Sequence, residues 1–434
     1  MNWKDIYRQR LTTADEAVKH IKSGDSVIIG HAAGEPTVLL NAMVKNADQY
    51  KNVRTFQMVC KGESRYCQPG MEEHFRHNSL FVTASTRQAA AEDRADVTPY
   101  YFSEVPDLLR NGMPVDVALI HVSTPDEHGY CSFGISVDYT KPAAECAKMV
   151  IAEVNPNMPR TLGDSFIHVS DIDYIVESDD PIIELPPSKL GDVEYAIGKN
   201  CASLIHDGDT LQLGIGAIPD AVLASLKDKK DLGIHSEMVS DGVVDLVETG
   251  VITNKRKNFM PGKSVMTFLM GTRRLYDYVD NNPGVAMFPV DFVNNPYVIA
   301  KNDNLISINS CVEIDLQGQV VSTTVGLKRI SGVGGQVDFV RGANMSKGGK
   351  TIMAFASTAN HGNVSKIVPF INQGASVTTS SYDVNYVVTE YGIAKLRGLS
   401  LRDRAKALIK IAHPKFRDML AEEFERRFSI KYAP

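Results

Sequence analysis

Three stretches of the sequence recur in the same order in its two halves, and this repetition constrains the fold more than any other feature. The aligned pairs are residues 21–40 with 205–223, residues 116–135 with 305–324, and residues 171–176 with 383–388. Within the first pair, Gly24 and Gly30 match Gly208 and Gly214. Because ordered self-similarity is typical of a repeated structural unit, the sequence predicts two related halves.

Each half begins with the same local pattern. An amphipathic helix leads into a Gly-Asp turn, a short apolar strand, a glycine-rich loop and a second helix. This strand–loop–helix order is typical of a parallel sheet, whose ligands bind at the carboxyl ends of the strands. Three prolines among residues 178–188 interrupt both helical and strand patterns. We therefore expect an α/β fold with two related open domains and mainly parallel sheets, at residues 1–185 and 186–434.

Composition excludes several classes of protein. The 434 residues carry a net charge of −6 without basic clusters, which argues against nucleic-acid binding. No apolar run reaches the roughly 18 residues that span a bilayer, and the N-terminus has no apolar signal core, so we expect a cytoplasmic protein. The six cysteines form no C-x-x-C pair, and His74 with His77 lacks a second pair of ligands, so no metal site is predicted.

A glycine loop follows the predicted strand at residues 210–213 and opens a helix. It consists of Gly214, Ile215, Gly216, Ala217 and Ile218, followed by Pro219. Such a loop presents backbone N–H groups to an anion at a helix N-terminus. It is not a dinucleotide-binding fingerprint, because proline replaces the third glycine, and it is not a Walker loop. A turn that serves only helix–sheet packing is the alternative interpretation.

A denser glycine cluster lies at residues 331–335 and ends in Gly334 and Gly335, followed by the polar Gln336. Three glycines in four residues indicate a backbone that closely approaches a ligand, with N–H groups available to an oxyanion. A flexible hairpin connection is the alternative.

Glu237 lies between these two loops in sequence, where a predicted strand ending at His235 meets a helix beginning at Asp241. A carboxylate at this edge of a sheet can act as a nucleophile, a general base or a capping group. A solvated or capping side chain is the usual role of an isolated glutamate.

The strings GIGAIPDAVL, GIHSEMVSDGVVDL and SGVGGQVDFVRGA resemble those of the acetyl-CoA hydrolase/transferase family. The resemblance extends over nearly the whole chain. It implies transfer of CoA between short-chain acyl-CoA and carboxylates, with 4-hydroxybutyrate, acetate and butyrate as the expected acids of a fermentative metabolism. The implied mechanism is ping-pong through a glutamyl-CoA thioester.

The resemblance also implies roles for individual residues. The family's catalytic glutamate falls on Glu237. The coenzyme A site would be lined by the loop at residues 214–218, by Gly334 and Gly335, and by Lys366. Gln212, Gln336 and His31 are further candidates, as donors to oxyanions or to the acyl end of the substrate; for His31 a packed structural role is the alternative.

No tightly bound cofactor is expected, because coenzyme A thioesters are the substrates. The partners expected are small molecules and, from the family, a second copy of the chain in a homodimer or dimer-based oligomer. Acyl-CoA hydrolysis in the same site and a non-catalytic metabolite-binding module remain alternative functions.

Overall fold

The computed structural model describes residues 2–433, which form two compact units. The first unit comprises the chain as far as Pro186 together with Val265–Val293, and the second comprises Pro187–Ser264 together with the chain from Asn294 onward. The division expected from the sequence placed residues 265–293 in the second half, whereas here they lie with the first. The Tyr276 hydroxyl, for example, donates to the carbonyl oxygen of Ile183 (2.8 Å).

A seven-stranded parallel sheet forms the centre of the first unit. Its strands are β1 (Ser26–Ile29), β2 (Val53–Gln57), β3 (Phe75–Ser79), β4 (Ala95–Val97), β5 (Val117–Val122), β6 (Met149–Val154) and β7 (Tyr174–Glu177). They lie in the order β4-β3-β2-β1-β5-β6-β7, and all neighbours are parallel. Strands β1 and β5 are buried along their whole length, as is typical of central strands in a parallel sheet.

A six-stranded sheet forms the centre of the second unit. Its strands are β8 (Thr210–Gln212), β9 (Gly233–Ile234), β10 (Leu305–Asn309), β11 (Lys350–Ala354), β12 (Tyr386–Thr389) and β13 (Gly392–Lys395). The order is β9-β8-β10-β11-β12-β13. All pairings are parallel except that of the edge strand β13 with β12.

The two sheets share one topology. The order β2-β1-β5-β6-β7 in the first unit corresponds to β9-β8-β10-β11-β12 in the second. The three segments that repeat in the sequence carry β1 and β8, β5 and β10, and β7 and β12. The predicted fold, two related α/β units with mainly parallel sheets, is therefore confirmed.

The repeated glycines and aspartates form equivalent turns. Gly24 (φ +84°) and Gly208 (φ +82°) both adopt backbone conformations that favour glycine. The aspartate that follows each glycine accepts a hydrogen bond from the backbone N–H three residues earlier, at 2.8 Å in both units. Asp126 and Asp315 likewise each accept the backbone N–H groups two and four residues later, at 2.9 Å in all four cases. The sequence similarity thus reflects the same local chemistry.

Helices cover the sheets of both units. The helices of the first unit are Trp3–Arg10, Ala14–Val18, Thr37–Lys45, Arg87–Ala91, Val105–Asp107, Thr140–Cys146, Arg273–Val279 and Val290–Val293. The helices of the second unit are Asp192–Ala202, Ala217–Ala224, Asp241–Glu248, Pro296–Ile299, Gln336–Met345, Leu401–Ile411 and Pro414–Phe428. The last two bury one face that includes Leu408, Leu420 and Phe424 in the core of that unit.

Short strands outside the two central sheets complete the fold. In the first unit Tyr130–Ser132 pairs with Phe166–His168, and in the second Glu313–Asp315 pairs with Val320–Val321 and Ile367–Val368. Further short strands are Met238–Val239, Ser264–Met266, Phe268–Leu269, Val285–Met287, Thr324–Val325, Lys328–Arg329, Thr358–Ala359 and Val364–Ser365.

A buried histidine and a buried glutamate face each other in the first unit. His121 on β5 and Glu153 on β6 are adjacent in register, and their Nε2 and Oε1 atoms lie 3.7 Å apart. Glu153 Oε2 accepts the backbone N–H of Val38 (3.0 Å) in the first turn of helix Thr37–Lys45. Burial raises the pKa of Glu153 to about 7 and lowers the pKa of His121 to about 4. Burial therefore favours the uncharged form of both side chains in the folded protein.

Replacement of Glu153 by glutamine should make the free energy of unfolding less dependent on pH. The folded pKa of Glu153 is raised, so its neutral form contributes stability at low pH that is lost as the pH rises from about 4.5 through about 7. Relative to E153Q, the wild-type protein should lose about 3 kcal/mol over this interval. Denaturant unfolding at pH 5 and pH 8 measures the difference. Because His121 is present in both proteins, equal pH slopes would contradict the assignment.

Candidate active site

The carboxyl edge of the second sheet brings the Glu237 segment and the first glycine loop together. The loop follows β8, and the segment Ser236–Glu237 follows the neighbouring strand β9. Leu213 and Met238 form a β-bridge across the two segments. The buried Ser236 hydroxyl lies 3.0 Å from the carbonyl oxygen of Leu213 and 2.7 Å from that of Met238. Glu237 is therefore held beside the loop by the residues on either side of it.

A buried asparagine binds the Glu237 carboxylate. The side-chain amide of Asn294 donates from Nδ2 to Glu237 Oε2 at 2.7 Å. Asn294 is fully buried, and its Oδ1 atom has no hydrogen-bond partner among residues 2–433. Glu237 itself is partly exposed. The arrangement leaves an oriented carboxylate that can still reach a ligand.

The second glycine loop packs its backbone against the same carboxylate. A Cβ atom built on Gly335 would lie 2.0 Å from Glu237 Oε2 and 2.3 Å from Asn294 Nδ2, far inside van der Waals contact. Gly335 has a negative φ, so space rather than backbone conformation requires glycine here. Gly334 has a φ of +54°, a left-handed backbone conformation that glycine adopts more readily than other residues. The backbone at Gly335 thus closely approaches two side chains of the protein itself, and its expected approach to a ligand stays a prediction.

The first glycine loop is open on its outer side. Cβ atoms built on Gly214 and Gly216 would meet no atom within 4 Å, although the φ of +107° at Gly216 disfavours other residues. Helix Ala217–Ala224 begins within this loop, and its N-cap residue is Gly216, which has no side chain to cap the N-terminus. Residues 214–218 are all partly exposed. Backbone N–H groups at such a helix N-terminus favour a bound anion.

The two glutamines among the sequence candidates are hydrogen-bonded elsewhere. Gln212 Oε1 accepts from Ser307 Oγ (2.7 Å) and Asn309 Nδ2 (3.1 Å). Gln336 donates from Nε2 to Ser322 Oγ (2.9 Å) and Thr379 Oγ1 (3.1 Å). Both side chains support the loops of the second unit in this structure, and their role as oxyanion donors stays a prediction.

Lys366 differs from the two glutamines in that its side chain is not hydrogen-bonded to described residues. Its Nζ atom lies 5.1 Å from the ring centre of Phe355, and no hydrogen bond or ion pair of Nζ occurs in the described part of the chain. Burial lowers the pKa of Lys366, although the neighbouring Cys311 and Glu390 act in the opposite direction. An unpaired, half-buried lysine can accept an anionic ligand, so its role at a coenzyme A phosphate also stays a prediction.

His31, in the first unit, occupies the loop after β1. The side chain is fully buried, and its Nδ1 atom lies 3.1 Å from Asp138 Oδ2. Its ring packs on Phe268, with ring centres 4.6 Å apart, and its Nε2 atom has no hydrogen-bond partner within residues 2–433. A packed structural histidine accounts for the aromatic contacts, while the unpaired nitrogen leaves the predicted substrate role open.

Two residues of the site escaped the sequence analysis. Asn294 lies 57 positions from Glu237, in a segment without a recognisable motif. Ser236 immediately precedes Glu237, and its position beside a predicted strand end was an available signal for a hydrogen bond to the neighbouring strand.

The part of the chain that the structure describes contains no group of three or more His, Cys, Asp or Glu side chains arranged to hold a metal ion. Within the same residues, none of the helices is both long and apolar enough to cross a bilayer.

Comparison with known proteins identifies two domains of one family. Residues 1–186 match the N-terminal domain of the acetyl-CoA hydrolase/transferase family, and residues 271–424 match its C-terminal domain. The chain is 64% identical over 429 residues to 4-hydroxybutyrate coenzyme A transferase of Clostridium kluyveri, which covers 99% of this chain and 100% of the relative. It is 39% identical to butyryl-CoA:acetate CoA-transferase of Anaerostipes caccae, with 98% of each chain covered.

The fold is also similar to that of a solved structure. The crystal structure of 4-hydroxybutyrate CoA-transferase from Porphyromonas gingivalis superimposes with a TM-score of 0.85 at 48% identity, covering 98% of this chain and all of the other. With matches to both domains and full-length relatives well above 30% identity, the chain belongs to the acetyl-CoA hydrolase/transferase family.

Proposed function

We propose that this protein is a CoA-transferase that moves CoA between short-chain acyl-CoA and carboxylates, with 4-hydroxybutyrate and acetyl-CoA or butyryl-CoA as its substrates. The observation that carries the proposal is the Glu237 carboxylate, oriented by Asn294 and approached by the backbone at Gly335. The 64% identical relative named for 4-hydroxybutyrate supports the choice of acid.

The first half-reaction transfers CoA to the protein. The Glu237 carboxylate attacks the acyl-CoA carbonyl carbon, the C–S bond breaks, and CoA leaves as thiolate from a mixed anhydride. The thiolate then attacks the glutamyl carbonyl carbon of that anhydride, which releases the first carboxylic acid as its carboxylate. The product is a glutamyl-CoA thioester, and no electrons are gained or lost.

The second half-reaction regenerates the glutamate. An incoming carboxylate attacks the glutamyl thioester and gives a new mixed anhydride with free thiolate. The thiolate attacks the acyl carbon of the incoming acid, so the new acyl-CoA leaves and Glu237 is again a carboxylate. Each step exchanges one acyl bond for another, which explains why a weak nucleophile such as glutamate suffices.

The residues around Glu237 would assist the reaction as hydrogen-bond donors that are already in position. The Asn294 amide holds one carboxylate oxygen and so fixes the orientation of the carboxylate that would attack the substrate. Backbone N–H groups at residues 214–218 and 334–335 would stabilise the oxyanions that develop at the carbonyl carbons, because such dipoles need no reorganisation during the reaction. Lys366 would pair with a phosphate of coenzyme A.

The remaining expectations stay predictions. A homodimer or dimer-based oligomer is expected from the family resemblance, and sedimentation velocity would measure it. A cytoplasmic location is likewise expected, and no tightly bound cofactor is needed for the steps above.

Replacement of Glu237 by glutamine should reduce transfer by about 10³-fold or more, because the amide removes the nucleophile while nearly preserving shape. The matched control is E248Q, an exposed glutamate on the next helix. Incubation with acyl-CoA, followed by peptide mass spectrometry, should find the CoA adduct on the Glu237 peptide of the wild-type protein and of E248Q. An unmodified Glu237 peptide during active turnover would overturn the mechanism. Rapid CoA release without an acceptor acid would instead identify a hydrolase.

Replacement of Asn294 by alanine should lower kcat by about 10- to 100-fold, because a hydrogen bond to a charged group is lost and the carboxylate is no longer oriented. The KM for acyl-CoA should change less than threefold. Steady-state kinetics with varied acyl-CoA measures both quantities, and an unchanged kcat would remove Asn294 from the site.

Two glycine-to-alanine variants should behave differently. G335A places a methyl group against the Glu237 carboxylate and should reduce kcat by about 10²-fold or more. G214A has an allowed φ and open space, so thermal stability should match the wild-type value while the KM for acyl-CoA rises. An unchanged KM in G214A would show that the loop does not contact coenzyme A.

A further inference from the structure

We propose that Lys257, together with Asn254, is a positioning residue for Glu237, because the two side chains replace a missing β-strand at the edge of the second sheet. This inference rests on the proposed function of Glu237 as the nucleophile. It assigns a role in the reaction to a buried lysine that makes no contact with the carboxylate itself.

The need for a replacement follows from comparison of the two sheets. Strand β2 of the first unit is covered on its outer side by β3, and five consecutive residues of each strand pair in register. Its counterpart β9 lies at the edge of the second sheet. On the outer side of β9, the backbone pairing within residues 2–433 is a single bridge between Leu232 and Ile252, one residue before the strand begins.

Beyond this bridge, two side chains bond the backbone of Ile234 in β9. The Oδ1 atom of Asn254 accepts the backbone N–H of Ile234 at 2.8 Å. The Nζ atom of Lys257 donates to the carbonyl oxygen of the same residue at 2.8 Å, and to that of Lys263 at 2.6 Å. Both polar groups of the last residue of β9 are thereby bonded, as a neighbouring strand would bond them.

Lys257 is a buried lysine whose Nζ atom is bonded to backbone carbonyl oxygens. The lysine is only 4% exposed, and it forms no ion pair with a carboxylate within residues 2–433. Its aliphatic stem covers Gly233, where a built Cβ atom would lie 2.5 Å from Lys257 Cγ. Burial lowers the pKa of Lys257 to about 7. Since both the ammonium and the neutral amine have N–H groups for two carbonyl acceptors, the contacts are available in either protonation state.

The route from these hydrogen bonds to the nucleophile is short. Ile234 ends β9, and the His235 N–H donates to the carbonyl oxygen of Leu211 on the inner side (3.2 Å). The Ser236 hydroxyl donates to the carbonyl oxygen of Leu213, directly after β8. Glu237 follows directly. Loss of the outer hydrogen bonds would leave this strand end held from one side only, and displacements near 1 Å at a reacting group cost about 10²-fold in rate.

The first test replaces Lys257 by methionine, which keeps an unbranched side chain of similar length but has no donor. We expect kcat to fall about 10- to 100-fold, the KM for acyl-CoA to change less than threefold, and formation of the Glu237 adduct to slow by the same factor as kcat. The matched control is K350M. Lys350 also donates to a backbone carbonyl, that of Leu204 (2.7 Å), but at the amino-terminal end of the interior strand β11. Its kcat should equal the wild-type value.

A second pair of variants tests the other hydrogen bond. N254G removes the acceptor and keeps a residue that tolerates the positive φ of 56°. N254D keeps the Oδ1 acceptor, and the Ser264 hydroxyl, which now accepts from Asn254 at 2.9 Å, can rotate to donate instead. N254G should lose activity with the same split between kcat and KM as K257M, and N254D should stay within threefold of the wild-type protein. This pair decides the question if K257M does not fold.

The outcomes separate the two proposals. A wild-type protein that turns over without a Glu237 adduct would overturn the proposed function. A wild-type protein that forms the adduct, beside folded K257M and N254G variants with wild-type kcat, would overturn the positioning role alone. Equal losses in N254G and N254D would also overturn it, because the hydrogen-bond acceptor would then not be the cause.

Discussion

Parallel pairing of β8, β9 and β10 is the constraint on which the candidate site depends. Parallel strands end at one edge of a sheet, so the loops that follow them meet there whatever their distance in sequence. The glycine loop after β8 and the Glu237 segment after β9 are neighbours for this reason. Asn294 and Gly335 then reach the same carboxylate from segments about 60 and 100 residues further along the chain. The chemistry assigned to Glu237 is therefore a product of topology as much as of the residue itself.

The duplicated scaffold is used differently in its two copies. After β1 the loop is filled by His31, whose ring packs among aromatic side chains, whereas after β8 the equivalent loop leaves open space around Gly214 and Gly216. The net charge of −6 gives no general attraction for a polyanion such as coenzyme A. Under the proposed function, binding would then depend on local donors, and the candidates are the backbone N–H groups of the open loop and Lys366.

Local patterns in the sequence were sufficient for the architecture and for the position of Glu237. The repeats follow the order of the shared strands, and two of the three contain a complete turn with its glycine and aspartate, such as Gly24-Asp25. They could not reveal Asn294 or Lys257, whose partners lie 57 and 23 positions away and whose surroundings carry no periodic signal. They could not show either that residues 265–293 lie with the first unit, because the contacts of this segment with that unit are entirely long-range in sequence.

The bonds that Asn254 and Lys257 make with Ile234 have a consequence beyond the reaction. An unpaired strand edge is a template on which a strand from another molecule can add, and this is a common beginning of aggregation. The N–H and C=O groups of Ile234 at the end of β9 are already bonded by side chains, so they are not available to pair with such a strand. A side chain cannot propagate pairing as a backbone does. The second sheet thus ends at this edge, and the bonds that block the addition of a further strand are the same ones proposed to position Glu237.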